Sequence, residues 1–229
     1  MKRLAILFII TAAFLTGCST GENRPGNDPV GSATAKPSAS GAESTPGPSA
    51  EPSPSAEGGG QDKKFGTPQD AAAAIMLALK DSDPETLKSY VHPEKGVLFS
   101  PYVHVDAAQA KRFSPEELPG LADDVLHVWG SYDGSGEPIE LTFGDYFKKF
   151  IYDKDFLYAE KVGWDEILGK GNTEPNLKDV FPGCYVVDYH FSGFDEQYEG
   201  MDWESLILVL ESHEGGWYLS ALVHNGWTI

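Results

Sequence analysis

ESLILVLESHEGGWYLSALVH, residues 204–224, is a pair of largely apolar runs, Glu204 to Glu211 and Trp217 to His224, on either side of Ser212-His213-Glu214-Gly215-Gly216. A short glycine-bearing turn between two such runs makes an antiparallel hairpin, because the chain reverses through backbone angles that glycine adopts freely. Upstream, Cys184 to Phe191 (CYVVDYHF) alternates with the period of a strand, and Val162 to Leu168 is a further strand. The last third of the chain is therefore read as an antiparallel β-meander.

Ahead of it, the apolar spacing becomes helical. Thr67-Pro68 is an N-cap followed by proline in the first turn, and Ala71, Ala74, Ile75, Ala78 and Leu79 then share one face, which predicts a helix to about Lys80. Asp83-Pro84 repeats the signal for a shorter helix that reaches about Val91, and His92-Pro93 ends it. GVLFSPYVHVD (96–106) is β-rich, with Pro101 demoting it to an edge or forcing a bulge. A third helix is expected to start at Ser114-Pro115-Glu116-Glu117. Val125 to Tyr132 reads as a strand and Asp133-Gly134-Ser135-Gly136 as a turn. Thr142 caps the strongest helical pattern, with Phe143, Tyr146, Phe147, Phe150 and Ile151 at i, i+3, i+4, i+7 and i+8. Helices first and a long meander last predict an α+β domain, with N-terminal helices packed on a curved antiparallel sheet.

The amino terminus is of another kind. Lys2 and Arg3 precede an uncharged apolar run, Leu4 to Leu15, too short to cross a bilayer and right for a secretory signal. The run ends in Leu15-Thr16-Gly17-Cys18, which resembles a bacterial lipobox. That implies a signal peptide over residues 1–17 and a diacylglyceryl (palmitate-type) modification of Cys18, which becomes the first residue of the mature chain. Residues 18–64 hold the lipidated cysteine and a Pro/Ser/Gly/Ala-rich stretch, as in STPGPSAEPSPSAEGGG, with too little apolar surface to offset the entropy of ordering. They read as a disordered linker with a root-mean-square span of roughly 40 Å. Residues 65–229, which carry nearly all the aromatics, read as a single globular domain.

The formal charge of −18 becomes −20 once Lys2 and Arg3 leave with the signal peptide. Such a surface repels nucleic acid and anionic headgroups. With Cys18 assigned to lipid, Cys184 has no partner for a disulfide, and its apolar surroundings read as those of a buried small hydrophobe.

FSPYVHVD (99–106), WGSYDGSGEPIELTFGDYFKKFIYDKDF (129–156), GKGNT (169–173), FDEQYEGMDWESLILVLE (194–211) and WYLSALVHNGWTI (217–229) resemble a family of uncharacterised bacterial lipoproteins. The order of elements over about 65–229 is similar to the cone-shaped, cystatin-like fold of the nuclear transport factor two and SnoaL-like superfamily. The first resemblance implies the anchor again and the second a cone-like sheet. Neither supplies catalytic residues.

On the strand Cys184 to Phe191, Asp188 and His190 share a face, and a carboxylate beside an imidazole is a usable general base pair. Tyr102, His104 and Asp106 alternate on the early strand, but nothing at recognisable spacing completes a metal set, and no metal or other cofactor is expected. Asp133 to Glu137 is too sparse in acids for a calcium loop and reads as an ordinary turn. Among the aromatics Trp129, Tyr132, Trp164, Tyr198, Trp203, Trp217 and Trp227, most are expected in the core, with one or two lining a pocket. Tyr102, His104, Trp129 and Trp203 are the pocket candidates. Phosphate loops, serine nucleophile elbows, zinc signatures and basic patches are missing. The expectation is an exported lipoprotein, lipid-anchored on the outer side of the membrane it crosses, with a non-catalytic binding or interaction domain for an envelope or extracellular ligand. The alternatives are an isomerase-, dehydratase- or hydrolase-like enzyme using Asp188 and His190, and a structural subunit that pairs as a homodimer or larger homo-oligomer.

Overall fold

The structure, a computed structural model, describes residues 65–228. The expected signal peptide, the expected lipidation at Cys18 and the expected linker fall on residues 1–64, outside the described residues.

The protein is α+β. Helix α1 (Pro68–Lys80) starts where Thr67 accepts a hydrogen bond from the Asp70 N–H, and it buries Ala71, Ala72, Ile75, Met76, Ala78 and Leu79. Asp83 caps α2 (Pro84–Lys88) by accepting from the Thr86 N–H, 3.0 Å away. Then come β1 (Val97–Ser100), β2 (Lys111–Phe113), β3 (Leu126–Ser131) and β4 (Pro138–Thr142). The helix α3 (Phe143–Tyr146), capped by Thr142, runs directly into a π-turn at Phe147–Ile151. The chain closes with β5 (Lys161–Trp164), α4 (Leu177–Val180), β6 (Tyr185–Phe191), β7 (Glu204–His213) and β8 (Gly216–Gly226).

Six strands form one sheet in the order β2-β1-β8-β7-β6-β5, and β3 and β4 form a separate hairpin. The closing hairpin turns through Glu214 and Gly215, with φ of 47° and 80°. Positive φ at both central residues gives a turn whose twist matches the strands it joins. The meander β6-β7-β8 is antiparallel as expected, but β1 lies parallel to β8. Three local expectations change. The early strand stops at Ser100, because Pro101 has no N–H to continue the ladder. Its remainder, through Tyr102, His104 and Asp106, is irregular backbone. No third helix forms at Ser114: Ser114 and Glu117 exchange the two bonds of a capping box, closing one turn that Pro119-Gly120 ends. The strand expected over Val162 to Leu168 ends at Trp164, and Pro138–Thr142, for which no element is expected, is β4.

Both faces of the sheet are buried. On one, Val187, Tyr189, Leu206, Leu208, Leu210 and Leu222 pack with α1 and α3 around Trp129, which stacks on Tyr146 at 4.0 Å. Against the other, Val103, Val105, Leu177, Phe181 and Cys184 cover Val186, Ile207, Val209 and Ala221. Each fully buried large apolar side chain contributes about 1.5–3 kcal/mol, so a sheet buried on both faces needs no disulfide. Cys184 is part of this second layer, and burial pushes its thiol up. Among the described residues no helix is long and apolar enough to cross a membrane.

Candidate functional site

Asp188 and His190 lie side by side, as the alternation requires, but on the sheet face away from α1. There a strap, residues 165–176, crosses the strands. Asp188 is fully buried, and its Oδ2 accepts the Leu168 N–H at 2.7 Å and the Gly169 N–H at 3.4 Å. His190 is 8% exposed, with Nδ1 2.9 Å from the hydroxyl of Ser205, which also lies against the Asp188 carboxyl. Burial raises Asp188 and lowers His190, holding both toward their neutral forms. Beneath the strap, the Asp188 carboxyl is taken up by backbone N–H groups and His190 by the Ser205 hydroxyl. Trp203 belongs to the same assembly. Its indole packs on Gly169 and sits 5.7 Å from the His190 ring.

The other three pocket candidates do come together. Tyr102, His104 and Trp129 line one cavity of about 200 Å³ with Pro101 and Gly130. Val103 and Val105 point to the second layer, His104 is exposed, and Tyr102 is half-buried against the first core layer. The Asn176 side chain fastens this stretch at Val105, pairing with its N–H and C=O at 2.8 and 3.0 Å, as a neighbouring strand would. Trp129 itself is fully buried and anchored by a bond from its Nε1 to the Leu141 carbonyl, so it contributes a wall of the core and no free face. The cavity is smaller than the roughly 300–1,000 Å³ usual for ligand pockets.

The strongest chemistry sits elsewhere, on the helix-bearing face at one end of the sheet. Glu204 heads β7, opposite Phe191 on one side and Gly226 on the other. His224, on β8, lies opposite the next residue of that face, Leu206. Asp153 and Lys154 come from the stretch after the π-turn, which the Tyr152 N–H closes on the Phe147 carbonyl at 2.8 Å. A π-turn adds a residue to the helical register, and such insertions frequently mark functional sites. Here Phe147, Phe150 and Ile151 stay in the core while the two charged residues that follow meet the strand ends.

Lys154 Nζ lies 3.4 Å from Asp153 Oδ2, 3.1 Å from Glu204 Oε1 and 3.0 Å from Glu204 Oε2. It reaches Oε2 at an angle that makes no hydrogen bond, and solvent reaches neither Oε2 nor Asp153 Oδ1. The two carboxyls touch each other. Burial, then the hydrogen bond and charge of Asp153, push the Glu204 carboxyl up to about 7 against the opposing pull of Lys154. Burial works against the Lys154 ammonium as well, but Glu204 and Asp153 more than offset it and leave it raised. Burial lowers His224 and keeps it neutral, although the Asp153 charge pulls the other way. Aromatic rings border the group: Phe150 is 5.7 Å from the His224 ring, and the Lys154 ammonium lies 4.9 Å from the Phe194 ring.

None of these four residues figures among the sequence candidates. They come from three separate segments, and no spacing joins them. Two clues were in the chain: Glu204 is a charge at the head of an otherwise apolar strand, and the hairpin register places it near His224.

Neither a family model nor a curated protein nor a solved structure matches the chain.

Proposed function

We propose that the chain is an exported lipoprotein held on a membrane through acylated Cys18, and that its domain is a binding module whose site is the cluster of Asp153, Lys154, Glu204 and His224. The signal, the Leu15-Thr16-Gly17-Cys18 box and the polar linker support the anchor. One observation carries the site: the Asp153 and Glu204 carboxyls lie in contact at the sheet end, largely closed off from solvent, with the Lys154 ammonium and the His224 imidazole beside them. Such an arrangement is unfavourable for folding and persists where a bound group completes it. Carboxylates, a neutral imidazole and aromatic walls together suit a ligand that presents positive charge.

The test is a carbon-detected NMR titration of the side-chain carboxyls, run with a thermal-shift screen of alkylammonium compounds, divalent cations and envelope fragments. A Glu204 midpoint near 7 and a stabilising cationic ligand are expected. A midpoint near 4.5 with no cationic hit sinks the reading.

A second reading rests on the same Glu204 value. A carboxyl near 7 beside a neutral imidazole is matched to general acid–base work at neutral pH. Turnover of a fragment, lost in Glu204→Gln with binding retained, would select it over simple binding.

A further inference from the structure

We propose that Asp153, Glu204 and His224 bind a single first-row divalent transition-metal ion, for which the Lys154 ammonium is the built-in competitor. This rests on the reading of the cluster as the domain's site and names the cation it takes.

One donor atom from each of the three side chains lies within 4.8 Å of the other two, and this is the sole set of its kind among the described residues. An ion held at about 2.0–2.2 Å from each donor needs them no more than about 4.4 Å apart. Side-chain shifts of a few tenths of an ångström close that difference. Asp153 and Glu204 are 16% and 23% exposed, open enough for an ion to enter and closed enough for it to be held.

Two observations separate a metal site from an ordinary ion pair. Lys154 hydrogen-bonds Asp153 Oδ2 and Glu204 Oε1, and solvent does not reach Asp153 Oδ1 or Glu204 Oε2, which depend on the contact between the two carboxyls. A divalent ion satisfies two lone pairs that converge on one point, whereas an ammonium on a four-carbon stem does not. The His224 ring also donates a hydrogen bond to the Pro101 carbonyl. That bond commits one ring nitrogen as donor and leaves the other as a lone pair, the second-shell arrangement of metal-ligating histidines. An imidazole with two carboxylates favours Zn²⁺, Mn²⁺ or Co²⁺ over Ca²⁺ and Mg²⁺, which take oxygen donors. Three protein donors leave coordination positions for water or for a donor atom of the ligand.

The experiment is calorimetric titration of the full chain with ZnCl₂, repeated with CoCl₂ to read the visible absorption of the bound ion. One equivalent is expected, with Ca²⁺ and Mg²⁺ silent. Glu204→Gln should weaken Zn²⁺ binding by at least about 100-fold, beyond what losing a supporting partner costs. Lys154→Met should tighten it by about tenfold, because a positive charge close to the ion is removed. This second variant reads a gain, so misfolding cannot imitate it. Zn²⁺ binding that neither substitution changes is adventitious surface binding and overturns the inference, as does no binding by wild type and Lys154→Met alike. If Zn²⁺ fails while an alkylammonium binds wild type and not Glu204→Gln, the metal is wrong and the binding site stands. If neither Zn²⁺ nor an alkylammonium binds, both fall.

Discussion

Gly169 lies so close to the indole of Trp203 that a Cβ at position 169 would sit 2.2 Å from Cζ3. Trp203 is 6% exposed and wedged between the strap and the sheet, so it cannot swing aside. Gly169→Ala should therefore cost about 1–3 kcal/mol, the range for forcing a methyl into a packed site. Gly171, whose Cβ would meet Trp203 at 3.5 Å, is the internal control, and Gly171→Ala should be nearly neutral. Urea unfolding of both variants checks the pair; equal effects would disprove the wedge.

Asp188 holds the strap from the other side. Asp188→Ala leaves the Leu168 and Gly169 N–H groups without their acceptor, at about 1–3 kcal/mol for each that stays buried. Asp188→Asn keeps an acceptor oxygen and should cost less. Because both act on one strap, the losses from Asp188→Ala and Gly169→Ala should sum to more than that of the double variant. Hydrogen exchange at Leu168 and Gly169 is the direct readout. Unchanged protection in Asp188→Ala would remove Asp188 from this role.

Elements fixed by local chemistry were legible in the sequence. Thr67 and Asp83 cap their helices as their spacing requires, and the alternation of Tyr185 to Phe191 and the turn at Glu214-Gly215 set the meander. What escaped depends on distant segments. Nothing near Val97 says that β1 will lie parallel to β8, and nothing near Asp188 says that its face is covered by a strap. Ser114 and Glu117 make their capping box, yet a cap cannot propagate a helix into Pro119. The same division holds for the sites. Tyr102 and His104 share a cavity because alternation along one stretch put them there. Asp153, Glu204 and His224 meet only once a π-turn and a hairpin register have been combined.

Tyr146 stacks on Trp129 at the centre of the first core layer, and its hydroxyl is buried with no hydrogen-bond partner. Burial, followed by the neighbouring Tyr102, raises its ionisation far above the usual range, so it stays neutral. Removing an unsatisfied buried hydroxyl relieves a desolvation cost. Tyr146→Phe should leave stability unchanged or raise it by up to about 1 kcal/mol, measured by thermal unfolding, while Tyr146→Ala should lose about 3–5 kcal/mol. A loss above 1 kcal/mol in the phenylalanine variant would mean that the hydroxyl has a partner.

The anchor is tested at Cys18, whose thiol is the acceptor expected for the lipid. Cys18→Ser keeps size and polarity but removes that acceptor. Fractionation of expressing cells should move the protein out of the membrane pellet, with loss of labelled palmitate. Retention in the pellet with undiminished label would refute acylation at this residue.

Glu204 makes stability depend on pH in a direction opposite to that of a simple salt bridge. Its carboxyl rises from the ordinary 4.5 to about 7 in the folded protein, so the folded state holds the proton more tightly than the unfolded chain does. The resulting stabilisation is full below about 4.5, falls as pH rises toward 7 and is gone above it. The full swing is on the order of 3 kcal/mol. Gln at position 204 has no proton to lose. The stability of Glu204→Gln relative to wild type should therefore improve steadily between pH 4.5 and 7, whatever the loss of the Lys154 pairing does at any single pH. Taking the difference also removes other carboxyls such as Asp188, whose raised pKa slopes the same way in both proteins. Melting curves at pH 4.5, 5.5, 6.5 and 7.5 decide it: a constant offset between the two proteins would mean that Glu204 is an ordinary surface acid, and a gap that widens in favour of Gln would show a carboxyl held neutral by its neighbours.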